Sequence, residues 1–405
     1  MSINFLFSPT NIKSLDDAII LLESKGCWKA FDERAIAFVN ELSSELLKDK
    51  SIKDYPDLVA LAYWFRKSNI RKLHNSYDDN FYRKGRGLSL HIAPSNVDTI
   101  FVYSFFLSLL SGNTNFIRVS QNESPQLLIL IDLFKKLEKT KKFEASSRFI
   151  ICTYPHESSA TKVVSEFCDL RLIWGGNNTT SLISSIPLKS TAMELKFADR
   201  SSYSAIDLSA IKRLNNEELS KLTNQFYSDI KMFGQQACSS PIAVYFIGEK
   251  ALLDQANRFW DSLKNIPKKD ETEAANIMNR LVSASSMIVS GAAKKIANFD
   301  HQDQIMLLDG ALCSEKTFRD EHFGDGMIVQ YFLSSLTELC NYIIHKDQTL
   351  SIFGFTDNDI ISLVNSIKNR GIDRIVPIGK ALDFNHIWDG YDLIDCMSRK
   401  IDIIK

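Results

Sequence analysis

Between Leu88 and Trp174 short apolar runs alternate with helical ones, and this alternation constrains the fold more than any other feature of the chain. The apolar runs are Leu88–Ala93, Asn115–Val119, Phe149–Thr153 and Leu170–Trp174, with helical patterns starting near Val97, Pro125 and Ser158. Parallel strands cannot be joined by a tight turn, so a short strand followed by a crossover helix predicts a parallel, doubly wound α/β sheet. Upstream, from Leu15 to Phe65, apolar residues recur at three- and four-residue spacing with charges between them, which predicts a helical prelude. Downstream, runs at Ala205–Leu208, Ile242–Ile247 and Met327–Phe332, with helical patterns through Leu252–Ser286, predict a second α/β unit. The boundary is expected near Leu208–Leu214, with a ligand cleft between the lobes.

At 405 residues and 45% apolar content the chain can build two large cores, which excludes the disordered class. Its 48 Lys+Arg balance 49 Asp+Glu, so no global field draws it to nucleic acid, and Lys135-Lys136 and Lys141-Lys142 read as solvated helix faces. Seven cysteines, an odd number without close pairs, point to reduced thiols and a cytoplasmic protein. The start, Met1-Ser-Ile-Asn-Phe-Leu-Phe-Ser-Pro9, lacks the basic and apolar regions of a secretory signal. Ile100–Leu110 is about half of a bilayer span and predicts a core helix, so no membrane span is expected. His91, His156, His322 and His386 share no ligand spacing, and no metal is expected.

Chemistry concentrates at Cys238, in Phe233-Gly-Gln-Gln-Ala-Cys-Ser-Ser-Pro241, where a polar loop presents a thiol just before an apolar strand. A thiolate in a partly open loop attacks carbonyl carbon, whereas Cys152, Cys168 and Cys340 lie in apolar or helical patterns that predict core packing. Asn96, in Pro94-Ser-Asn96, can donate to an oxyanion or cap the following helix. Arg118 and Ser120 end a strand, where they meet a nucleotide ribose or merely solvent. Gly175 and Gly176 open a helix after a strand and allow close approach of a pyrophosphate, although the three-glycine dinucleotide fingerprint is absent. Glu321 and Phe323, in Glu321-His-Phe-Gly324, can hold a ribose and a flat ring, or can be a surface acid and a core aromatic. His322 is a candidate acid or a structural residue, and Asp199 with Arg200 reads as a structural pair or a catalytic one.

Together these segments resemble the aldehyde dehydrogenase superfamily. That family runs in order through an asparagine after proline, a strand ending in a cation, a glycine turn, a Gly-Gln-x-Cys nucleophile and Glu-x-Phe-Gly. The closer likeness is to the acyl-CoA reductases of bacterial bioluminescence fatty-acid reductase complexes, over roughly residues 60 to 400. It is carried by Leu88-Ser-Leu-His-Ile-Ala-Pro-Ser-Asn-Val97, Gly112-Asn-Thr-Asn115, Trp174-Gly-Gly176, Phe197-Ala-Asp-Arg-Ser201, Ala237-Cys-Ser-Ser-Pro241 and Gly371-Ile-Asp-Arg-Ile-Val-Pro-Ile-Gly-Lys-Ala-Leu-Asp383 with Trp388-Asp-Gly390. The resemblance implies a Rossmann-like NAD(P)-binding domain with the helical segment at 1–210, a catalytic domain at 211–385, and a segment at 386–405 returning to the cofactor and bridging region.

By the same resemblance the reaction is NADPH-dependent reduction of a long-chain fatty acyl-CoA or acyl-protein thioester to the aldehyde through acyl-Cys238, with NADH the less favoured cofactor. Asn96 supports the oxyanion, while Arg118, Ser120, Gly175, Gly176, Glu321 and Phe323 meet the cofactor. An acyl-protein synthetase partner and a homo-oligomer are also implied. Glu194 stands where the family carries a water-activating glutamate, but Met193-Glu-Leu-Lys-Phe197 lacks the glycines that follow it there. Loss of that base suits an acyl intermediate that must outlast water. An acyltransferase or thioesterase using Cys238 without hydride, and an inactive subunit, are the alternatives.

Overall fold

The computed structural model describes residues 3–77, 81–94, 99–122, 124–266, 274–298, 305–312 and 318–404. The chain divides into two compact units, Met1–Asp199 with Phe384–Lys405, and Arg200–Asp383.

The strands of the first unit are β1 (Asn4–Phe7), β2 (Tyr82–Gly85), β3 (Leu88–Ile92), β4 (Thr114–Arg118), β5 (Phe149–Thr153), β6 (Leu170–Trp174) and β7 (Met193–Phe197). Six of them form one sheet in the order β1-β5-β4-β3-β6-β7. All neighbours are parallel except β1 with β5. Strands covered on both faces bury every residue, and β3, β4 and β6 do so, polar side chains included. Those polar groups are paired internally. His91 sits 3.0 Å from both Ser104 Oγ and Asn115 Oδ1, and burial lowers its pKa to about 4, so the ring is neutral. The apolar segment Ile100–Leu110 is a core helix with all eleven residues buried. Beneath it Phe149 stacks on Phe7 at 4.5 Å and packs on Phe105, also at 4.5 Å, which explains why the chain start adds an antiparallel edge strand. Strand β2 pairs with Ser398–Ile401 in a separate two-stranded ribbon.

The second unit contains β8 (Ser201–Asp207), β9 (Pro241–Ile247), β10 (Ala293–Asn298), β11 (Met306–Gly310), β12 (Met327–Leu333), β13 (Asp347–Phe353) and β14 (Arg374–Pro377). They form one sheet in the order β10-β11-β12-β9-β8-β13-β14, parallel except at its β10 edge. Alternation along the central strand β9 builds two cores: Ala243, Tyr245 and Ile247 enter one, Val244 and Phe246 the other. Because β8 pairs with β9 and β13, it belongs to this unit, and the division falls after Asp199, ahead of the expected 208–214. The strands β12, β9, β8 and β13 are adjacent and parallel, so the loops entering them gather at one edge of the sheet. That edge carries Cys238.

Candidate active site

Three consecutive residues ahead of Cys238 hold left-handed backbone: Phe233, Gly234 and Gln235 have φ of 58°, 57° and 62°. Left-handed conformations cost non-glycine residues about 1–2 kcal/mol each, so other contacts must fix the turn. Gln235, only 3% exposed, supplies them. Its Nε2 donates to the carbonyls of Pro241 at 2.7 Å and Met327 at 2.9 Å, and its Oε1 accepts from Gly326 N–H at 2.8 Å. Gln236 Nε2 donates to Phe323 O at 2.7 Å, and Asp325 N–H donates to Gly234 O at 2.9 Å. These bonds zip the cysteine loop to the Glu321–Gly326 loop, so the structure brings Cys238 and the Glu-His-Phe-Gly segment together. The segment from Gly234 to Cys238 carries one residue more than the Gly-Gln-x-Cys pattern.

Gly324 completes the junction with φ of +92°; a Cβ there would lie 2.5 Å from Gln236 Nε2 and 3.1 Å from Gly234 O. His322 is the hinge pin. Its Nε2–H donates to Met327 O at 2.9 Å and its Nδ1 accepts from Gly324 N–H at 3.0 Å. Burial lowers its pKa to about 4, so it is neutral with both nitrogens engaged, which is the structural role. Glu321 ends the short helix Phe318–Glu321, and its Oε2 accepts from Ser290 Oγ at 3.0 Å. Phe323 packs partly buried against the core of the second unit.

Cys238 itself is half-buried in the turn just before β9. Gln348 Nε2, on β13, lies 3.4 Å from its Sγ, and Ser202 Oγ, on β8, donates to its carbonyl at 2.7 Å. Neither residue stands out in the sequence, because each reaches the cysteine only through sheet order. Cys152 and Cys168 are fully buried, and burial pushes both thiols up, Cys168 to about 12. Arg200 pairs with Asp373 at 2.5 Å.

In the first unit the chain runs outward through β3, β4 and β5, then returns to the other side of β3 as β6 and β7. Open α/β sheets bind ligands outside the carboxyl ends of strands at such a switch point. Gly175 and Gly176 follow β6 there, and Arg118 ends β4. Gly176 is the N-cap of the helix Asn177–Ser184, and among the described residues that helix has no side-chain cap and nothing lies within 4 Å of a Cβ built on Gly176. A helix N-terminus without a side-chain cap suits a pyrophosphate. Arg118 is 7% exposed, its Nη2 lies 3.4 Å from Tyr154 O, and Ser120 Oγ accepts from Asn122 N–H at 3.2 Å. Asn96, after β3, lies outside the described residues.

Glu194 lies on the edge strand β7, and its Oε1 accepts from Arg171 Nε at 2.7 Å and from Nη2 at 2.5 Å. Ser184 Oγ donates to its other oxygen at 3.0 Å. Arg171 has a side chain only 1% exposed, so the carboxylate neutralises a buried cation.

Comparison with solved structures identifies the fold as that of the aldehyde dehydrogenases. Aldehyde dehydrogenase 21 from Physcomitrella patens superimposes with a TM-score of 0.70 at 12% identity, covering 96% of this chain and 89% of that one. A lactaldehyde dehydrogenase gives 0.69 at 14% identity, covering 96% and 90%. Within that fold the chain belongs to the acyl-CoA reductase (LuxC) family, which matches residues 66–400. Long-chain acyl-protein thioester reductase from Photobacterium phosphoreum is 20% identical over 74% of this chain and 60% of its own length. The protein of the same description from Vibrio harveyi is 21% identical over 73% and 59%. The matched region therefore spans less than two thirds of these relatives. Among the described residues no helix is long and apolar enough to cross a membrane.

Proposed function

We propose that the chain reduces a long-chain fatty acyl thioester to the aldehyde through an acyl-Cys238 intermediate. The observation that carries this reading is the zip of hydrogen bonds between the loop of a half-buried cysteine and the Glu321–Phe323 loop, in a chain of this family. Cys238 Sγ, as the thiolate, adds to the thioester carbonyl, and the donor's thiol leaves as the new thioester forms. Asn96 is assigned to the oxyanion, a contact worth about 3–4 kcal/mol of barrier when water is excluded.

When bound, NADPH supplies the hydride that reduces the acyl group. Gly175 and Gly176 would take its pyrophosphate at the helix N-terminus, and Arg118 with Ser120 its adenosine ribose. The cation at Arg118 favours a 2′-phosphate and hence NADPH over NADH. Glu321 would hold the nicotinamide ribose and Phe323 the ring. After reduction, the sulfur leaves as thiolate, so the protein need not protonate it. Glu194, committed to Arg171, is assigned as a buttress of the sheet and not as a water-activating base. The names of the relatives fit an acyl-protein thioester as donor; its delivery by an acyl-protein synthetase, to a cytoplasmic homo-oligomer, is part of the same proposal.

The test mixes the protein with long-chain acyl-CoA and NADPH, follows cofactor oxidation and aldehyde, and compares Cys238→Ala. Turnover with wild type and none with the variant is expected. Acyl labelling of Cys238 without cofactor oxidation would instead indicate an acyltransferase or thioesterase, and equal turnover in the variant would refute the mechanism.

A further inference from the structure

We propose that Gln348 is a positioning residue for Cys238, its side-chain amide donating to Sγ so that the sulfur is both aimed and stabilised as the thiolate. The inference rests on the reading of Cys238 as nucleophile, and it adds a residue on another strand that the motif does not contain.

Gln348 Nε2 donates to the sulfur at 3.4 Å while its Oε1 accepts from Thr349 Oγ1, also at 3.4 Å. Gln348 is only 2% exposed, so no bulk water competes for the donor. A donor to the charged form favours that form, and a desolvated setting strengthens the bond. The same strand also fixes the cysteine's backbone. Ser202 Oγ donates to Cys238 O at 2.7 Å while accepting from Thr349 N–H at 3.1 Å, so consecutive residues of β13 govern the sulfur and the carbonyl of one nucleophile.

The end of β13 is itself anchored. Asp347, fully buried, accepts from Arg319 Nε at 2.8 Å and Nη2 at 2.9 Å and from Ile344 N–H at 2.8 Å. Arg319 is two residues from Glu321 in the same short helix. One strand terminus thus ties the helix that ends in Glu321 to the sulfur of Cys238, through neighbouring residues 347 and 348.

The experiment measures the rate of iodoacetamide alkylation at Cys238 against pH, resolved by peptide mass spectrometry, in wild type, Gln348→Leu and Gln348→Glu. Removing the donor is expected to raise the pH midpoint by about one unit, so alkylation at pH 7 falls about tenfold, with the high-pH plateau unchanged. Gln348→Glu keeps the shape and places an acid beside the sulfur, and its midpoint is expected to rise at least as far. Alkylation of half-buried Cys340 reports the fold and should not move. If Gln348→Leu fails to fold, Gln348→Met, of similar length and without the donor, takes its place. An unshifted midpoint in a folded variant overturns the role. A shifted midpoint in a protein that yields no aldehyde keeps Gln348 and defeats the reductase reading, whereas aldehyde turnover with an unshifted midpoint does the reverse.

Discussion

Replacing Gln235 by leucine should loosen the cysteine loop more than any other single change around it. The side chain is 3% exposed and makes three hydrogen bonds, all to backbone groups. Leucine matches its size roughly but leaves Gly326 N–H and Pro241 O without this partner, while Met327 O keeps His322 Nε2 at 2.9 Å. A buried polar group stripped of its partner costs about 1–3 kcal/mol, so two of them give a loss of about 3 kcal/mol after the gain from a more apolar side chain. For a unit of this size that lowers the thermal midpoint by about 6–12 °C. Differential scanning calorimetry measures the loss, and alkylation of Cys238 should accelerate as the turn opens. A loss below about 1 kcal/mol, with alkylation unchanged, would refute the claim that Gln235 holds the left-handed turn.

Acid should destabilise the same junction. His322 has a pKa of about 4 in the fold and titrates at about 6.5 when unfolded, so the unfolded state binds the proton first and stability falls as pH drops from 6.5 to 4. Urea midpoints of His322→Asn across this window should show a shallower slope than wild type, and equal slopes would contradict the assignment. Asp229 has the opposite sign. Burial raises its carboxyl to about 7 although Gly379 N–H donates to it at 2.6 Å, so its contribution is full below about 3.8 and is lost as pH rises through 7. Wild type should therefore lose stability relative to Asp229→Asn between about pH 4 and 7, read from the same urea series. Glu194→Gln leaves the buried guanidinium of Arg171 without its counter-charge, and a stability loss of about 3 kcal/mol is expected with an unchanged ratio of aldehyde to free acid. A changed ratio in product analysis would return Glu194 to the chemistry.

The parallel sheets were legible because their strands are short apolar runs punctuated by helical ones: Leu88–Ala93, Phe149–Thr153 and Leu170–Trp174 overlay the observed strands within a residue. Cys238 and the Glu321–Gly324 segment were legible as local motifs. What local pattern does not carry is sheet order. Gln348 and Ser202 reach Cys238 because β8 lies between β9 and β13, and nothing in Asp347-Gln-Thr-Leu350 marks that neighbourhood. The edge strand β1 was hidden for a similar reason, since its place depends on Phe7 meeting Phe149. His322 is read from the sequence as an acid or a structural residue, and its two hydrogen bonds and burial show how it pins the turn.

The most direct test of the central claim is a single turnover watched by mass spectrometry. Wild-type protein is loaded with long-chain acyl-CoA, the acylated peptide is identified, and NADPH is then added. The account predicts an acyl group on Cys238 that disappears as one equivalent of aldehyde forms. An adduct on another residue, or discharge of Cys238 only as the free acid, would contradict it.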